Sequence, residues 1–183
     1  MILNFFKDAE HDFSEIRSLG ITIEPFDMAS NIDADAMIGN HFGYKTKRPL
    51  KIVNFNSNET NCFYLDISKS FNIISTSKKD VAYYRYCLIW DYNIIHKEEQ
   101  DDYFHESLIT LKRSIRFDYH PHVQSPFELE KEPHWHPNGC SELKAKTEKL
   151  HPYEAIAFCA KFFSPDIFSK FSEKLKERIN NIF

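Results

Sequence analysis

Glycine is scarce in this chain: four residues in 183, Gly20, Gly39, Gly43 and Gly139. No GxGxxG or GxxxxGK(S/T) run can be assembled from them, so a glycine-rich phosphate cradle is excluded. The four cysteines, Cys62, Cys87, Cys140 and Cys159, are dispersed and form no CxxC pair. That removes the usual cysteine-based zinc and redox motifs. No apolar run reaches the roughly 18 residues of a membrane helix. The opening MILNFFKDAEHDF has neither the basic stretch nor the long apolar run of a signal peptide. The expectation is a cytoplasmic protein with free thiols and no membrane partner. Cys62, Cys87 and Cys159 read as buried packing residues, and Cys140, after Asn138-Gly139, as more exposed. An excess of positive charge is lacking too: 23 basic against 27 acidic residues give a net charge of −4. Indiscriminate duplex binding is disfavoured, while a local basic groove stays open.

Aromatic and apolar residues are plentiful. Apolar residues make up 42% and aromatics 15%, with 17 Phe and 9 Tyr. That is enough for a sizeable core in one domain spanning 1–183. Residues 2–19 read as an amphipathic helix, with Ile2, Phe6, Ala9, Phe13 and Ile16 at helical spacing and Gly20 just past the end. Residues 21–49 lack a clean period and read as loop with short elements. From 50 the period shifts towards two, as expected for antiparallel strands. Val81–Ile95 is the longest strand candidate, with Tyr84, Tyr86, Leu88 and Trp90 facing one way and Tyr83, Arg85, Cys87 and Ile89 the other. Residues 101–114 fit helix and strand almost equally, and 107–119 is assigned to strand. Pro152 opens a helix over about 152–163. Ser164 and Pro165 start a last helix with Phe168, Phe171, Leu175, Ile179 and Ile182 as its stripe. The fold class expected is α+β: a curved antiparallel sheet of about five to seven strands over 50–150, an irregular N-terminal segment with a helix over 1–49, and two C-terminal helices over 151–183.

One constellation points to chemistry. Four of the nine histidines fall within RFDYHPHVQSPFELEKEPHWHPNG. Alternate residues of a strand share a face, so Arg116, Asp118 and His120 line one side while Ile115, Phe117 and Tyr119 take the core side. His134 and His136 share a face of a second strand, and a hairpin can bring the two faces together. Two chemistries use these groups. In metal-free phosphodiester cleavage, histidine serves as acid and base near neutral pH and Arg116 holds the phosphate. In a metal site, His134, His136 and Asp118 ligate zinc or another divalent ion, although HExxH and HxE with PCxxC are absent. The plainest alternative is a solvated loop and polar sheet face, or a surface for a partner protein. Arg85 and Asp91 extend the constellation if they share its face; a simple cross-strand charge pair is the other reading. His11, His41, His96, His105 and His151 read as surface or capping residues.

The same stretch resembles a family of bacterial proteins of unknown function. In that family an Arg-x-Asp strand precedes a His-x-His-x-Asn-Gly hairpin and a Phe-rich Leu-x-Pro helix. The matching positions are Arg116, Asp118, His134, His136, Asn138, Gly139, Leu150, Pro152, Phe158 and Phe162, about the last third of the chain. The order Arg-x-Asp, His, His-x-His is also similar to TumE-type toxins of toxin–antitoxin pairs. These resemblances imply a small bacterial toxin or phage-defence protein acting on RNA, with catalytic residues Arg116, Asp118, His120, His134 and His136 and no obligatory cofactor. They also imply a protein partner, an antitoxin or a larger defence subunit; a non-catalytic accessory subunit is the alternative. One departure is visible: the family places a basic residue and a proline soon after Asn-Gly, and CSELKAK offers only Lys144 or Lys146.

Overall fold

The computed structural model describes residues 4–182 except 25–26, 39, 56–62, 76–77, 101–102, 123–127 and 138–142, and describes only the backbone of 91–112 and 128. The order is α1 (Phe5–Ser18), β1 (Ile23–Glu24), α2 (Met28–Asn31), β2 (Ile32–Ile38), β3 (His41–Thr46), β4 (Leu50–Ile52), β5 (Phe63–Ile73), β6 (Lys79–Gln100) and β7 (Tyr103–Tyr119). A 3₁₀ turn (Glu128–Glu130), β8 (His134–Pro137), β9 (Ala145–Lys146), α3 (Pro152–Phe163), α4 (Pro165–Ser169) and α5 (Glu173–Asn180) follow. The fold class is the expected α+β with a curved, open antiparallel sheet. The sheet has nine strands in the order β1-β4-β5-β6-β7-β8-β9, with β2 and β3 joined beside β5. Among the described residues no helix is long and apolar enough to cross a membrane.

The sheet begins earlier than the residue pattern suggests. Residues 32–46, expected to be mostly irregular, form the β2–β3 hairpin. A register shift between Ala34 and Ala36 hides its period of two, and Asp35 sits there with φ 65°. Such a bulge adds a residue to one strand and reverses the side-chain alternation beyond it. Strand 107–119 is confirmed and starts at Tyr103. β6 and β7 pair without a break from Tyr84↔Tyr119 to Gln100↔Tyr103, running past the last pairs with β5 and β8 at Trp90 and Ile115.

One sheet face carries Phe63, Leu65, Ile67, Tyr84, Tyr86, Leu88 and Phe117, and the helices cover it to form the core. Phe158 of α3 packs edge-on against Phe117, with ring centroids 5.4 Å apart, and against Trp135 at 5.6 Å. α1 is capped by Asn4, whose side chain accepts from Phe6 N, and ends before Gly20 at φ 78°. Its buried stripe is Phe5, Ala9, Asp12, Phe13 and Ile16. Phe5 leads this stripe, with Phe6 only partly buried, and the same face carries Asp12 into the core.

The expected final helix is divided. Lys170, Phe171 and Ser172 separate α4 from α5, and the Ser172 hydroxyl accepts from Leu175 N to start the new helix. The break lets Phe171, Ile179 and Ile182 all be buried, with Phe168 and Leu175 packed at the core's margin. Cys87 and Cys159 are free and buried as expected; Cys62 and Cys140 lie outside the described residues.

At Gly43 the backbones of β3 and β5 leave no room for a side chain. A Cβ there would lie 1.9 Å from the Lys69 carbonyl oxygen and 2.6 Å from Ser70 Cα. Both are backbone atoms of the sheet, so the strands themselves would have to part. Gly43→Ala is expected to cost at least the roughly 1–3 kcal/mol typical of overpacking, read as a lowered denaturation midpoint. An unchanged midpoint would show that β3 and β5 are not this close.

Candidate functional site

The sheet face opposite the helices is polar. Register aligns Lys45, Ser68, Arg85, Asp118, His134 and Lys146 as successive cross-strand neighbours on six strands. The next row holds Asp66, Cys87, Arg116 and His136. Strand parity places both rows on one face. Arg116, Asp118, His134 and His136 therefore converge as the sequence predicts. Arg85, read from sequence as an extension of the group or a plain charge pair, lies directly opposite Asp118. The side chain of Asp91 falls outside the described residues.

Asp118 is the centre. Arg85 Nε donates to its Oδ1 at 2.9 Å, and Arg116 Nε donates to Oδ2 at 2.7 Å. His136 Nε2 lies 3.1 Å from the same Oδ2 and 2.9 Å from Arg116 Nη2. A single imidazole nitrogen serves one of these at a time: as N–H it donates to Asp118, and as a lone pair it accepts from Arg116. His134 Nδ1 lies 2.8 Å from the Glu132 carbonyl, the arrangement of a donated N–H. That fixes the tautomer and leaves the lone pair on Nε2. The two imidazoles stack at 5.6 Å with their planes 20° apart.

Burial separates the members. Asp118, His134 and His136 are 6%, 4% and 4% exposed, whereas the side chains of Arg85 and Arg116 are 46% and 28% exposed. Each guanidinium is anchored through Nε on the carboxylate. An incoming solute therefore meets arginine first, with the histidines below. With neutral imidazoles the group carries one negative and two positive charges, a net attraction for anions.

Protonation follows from these contacts. Burial alone would raise the Asp118 carboxyl, but the His136 hydrogen bond and the Arg116 and Arg85 charges outweigh it and hold the group well below the usual carboxylate range. Burial lowers His134, keeping it a neutral base. Burial pushes the Cys87 thiol up, so it offers no ready thiolate. Because the folded Asp118 carboxyl holds its charge to lower pH than in an unfolded chain, its stabilisation is complete above about pH 3.9 and is lost as pH falls towards the folded value. Denaturation midpoints measured between about pH 5 and about pH 2.5 should fall more steeply for wild type than for Asp118→Asn. Parallel curves would deny Asp118 this role.

Asp118, His134 and His136 also offer three donor atoms within 4.8 Å of one another, the one such group among the described residues. Arg116 touches two of these three groups, Asp118 Oδ2 through Nε and His136 Nε2 through Nη2, so its guanidinium competes with an ion for them.

His120 shares the face but not the hydrogen-bonded group. It is exposed beyond the end of β7, with its ring edge-on to Tyr83 at a centroid distance of 5.2 Å. His11 and His151 are exposed, and Glu154 accepts from the His151 backbone N–H at the start of α3. His96 and His105 lie outside the residues with described side chains. His41, read from sequence as a surface or capping residue, and His122, a member of the sequence's histidine cluster, bring their rings to 6.0 Å beside Tyr83. Comparison with protein-family models, curated proteins and solved structures finds no match in any of the three.

Proposed function

We propose that this chain binds RNA through its phosphodiester backbone and cleaves it without a metal. The observation that carries this reading is the pair of arginines fixed on the two oxygens of one carboxylate. Held that way, Arg85 and Arg116 present their remaining N–H groups as a fork matched to phosphate. When a phosphate draws Arg116 Nη2 onto its own oxygens, the freed His136 Nε2 takes up a proton from water and, as an imidazolium, holds it in a hydrogen bond to Asp118. His134 then takes the proton of the 2′-hydroxyl. Its oxygen attacks phosphorus, the bond to the 5′ oxygen breaks, and His136 protonates the leaving oxygen. The products are a 2′,3′-cyclic phosphate and a 5′-hydroxyl end, and the arginines stabilise the phosphorane charge between.

Such an activity fits a small bacterial toxin or phage-defence protein held in check by a protein partner. Produced alone in a bacterial host, the wild-type chain should arrest growth.

The three-donor group favours one second reading, a divalent ion on Asp118, His134 and His136 in a metal-dependent hydrolase. A single assay separates the two. Purified protein is given a mixed single-stranded RNA, its 2′-deoxy counterpart, and the RNA with a chelator. Cleavage of RNA alone, unaffected by chelator, is the expected result. Cleavage abolished by chelator and restored by metal would establish the second reading. Intact RNA under every condition would defeat both.

A further inference from the structure

Beside the arginine pair lies a cavity of about 340 Å³ lined by His41, Tyr83, His120, His122 and Asn40 with Ile38 and Ala82. Tyr83 precedes Arg85 by two residues on β6, and His120 follows Asp118 by two after β7. Each step along one face of a strand covers about 7 Å. The cavity is therefore one step from the proposed phosphate contacts. Its walls are aromatic. The Tyr83 and His120 rings meet at 88°, and the His41 and His122 rings stand 6.0 Å apart with their planes 31° from parallel. A ring inserted between two others needs about twice the stacking rise of roughly 3.4 Å seen along nucleic acid strands. His122 is exposed at the turn after β7, so a small outward swing of its ring opens that space. The exposed Asn40 amide at the rim supplies a donor and an acceptor for a base edge.

We infer that this cavity holds one unstacked nucleobase of a single-stranded nucleic acid whose adjacent phosphate lies on Arg85 and Arg116. The inference rests on the phosphate site proposed above and adds the component that recognises a base. It also gives His120 and His122 a role in binding, outside the acid–base pair. Proteins that read single strands stack splayed bases on aromatic side chains in this way. The row from Lys45 to Lys146 crosses six strands, a span of about 24 Å at the usual strand spacing. It leaves room for the backbone on either side of the base.

The test is binding, independent of cleavage. Adenosine 5′-monophosphate, ribose 5-phosphate and adenosine are titrated while the histidine ring resonances are followed. The monophosphate should bind roughly tenfold more tightly than ribose 5-phosphate, the scale of one base–aromatic stack. That advantage should vanish in the double variant His120→Ala/His122→Ala, whose altered side chains are exposed. Arg85→Ala should weaken both phosphates and keep their ratio. Adenosine alone should move the rings of His41, His120 and His122. Equal affinities of the two phosphates, or a ratio untouched by the double variant, overturn the inference. So do histidine rings that answer to zinc ions but to neither adenosine ligand. RNA left uncut while adenosine and its phosphate bind as described would defeat the nuclease reading and uphold this one.

Discussion

His136→Ala should reduce RNA cleavage by about 10²–10⁴-fold, the range for loss of a general acid or base. The nitrogen removed stands between Asp118 and Arg116, so the substitution deletes a proton carrier and a support of the arginine together. A second variant tells these apart. Arg116→Lys keeps the charge but loses the planar fork and the Nε contact that locks it to Asp118. It should weaken phosphate binding while the dependence of cleavage on pH keeps its shape. His136→Ala should flatten one limb of the pH profile with phosphate binding changed far less. Matching pH profiles for wild type and His136→Ala would mean that His136 only positions Arg116. Circular dichroism of each variant checks that the sheet persists, since His136 is buried.

Much of this centre was legible in the chain because strand parity is a local property. Arg116 and Asp118 lie two apart, as do His134 and His136, and each pair must share a face once its segment is a strand. Arg85 was harder, because its place depends on the register of β6 against β7. That register is fixed where Gln100 pairs with Tyr103, and it carries Arg85 to Asp118. The sequence around 101–114 fits helix and strand alike, so the pairing that sets the register could not be located from pattern alone. His41 and His122 illustrate the same limit more strongly. His41 opens β3 and His122 lies in the turn after β7, and they meet only because the β2–β3 hairpin lies beside the sheet's polar face.

The fold shows where local patterns mislead. A bulge around Asp35 breaks the period of β2, and so a six-pair hairpin looks like loop. The last stripe looks continuous because Phe168, Phe171, Leu175 and Ile179 keep helical spacing, while Ser172 is an equally good helix start. Tertiary packing selects the break, since it brings Phe171 and Ile182 into the core together. Asp12 is the clearest case. A charged residue on an apolar helix face reads as a flaw until its partners on strands 32 and 57 residues away are known.

Those partners give the largest stability effect expected in the molecule. Asp12 Oδ2 accepts from Lys69 Nζ at 2.6 Å and from the Tyr44 hydroxyl, and all three residues are buried between α1 and the sheet. Burial, with Asp12 adding to it, raises the Tyr44 hydroxyl well above its ordinary value, so it stays a donor. Asp12→Ala would leave an ammonium group in the core without its counter-charge. Breaking one side of a buried pair costs about 3–5 kcal/mol. For a chain of this length that corresponds to a fall in Tm of roughly 6–20 °C. Removing both charges, as in Asp12→Leu/Lys69→Met, should recover part of the loss, because the desolvation cost of the pair disappears while the buried Tyr44 hydroxyl still loses its acceptor. Thermal unfolding of wild type, Asp12→Ala, Asp12→Leu, Lys69→Met and the double variant measures the coupling directly. If the double variant were as unstable as the sum of its parts, the pair would not be coupled. The cavity and the arginine pair lie on the opposite sheet face. Phosphate and nucleobase binding by the double variant, measured below its Tm, should therefore match wild type.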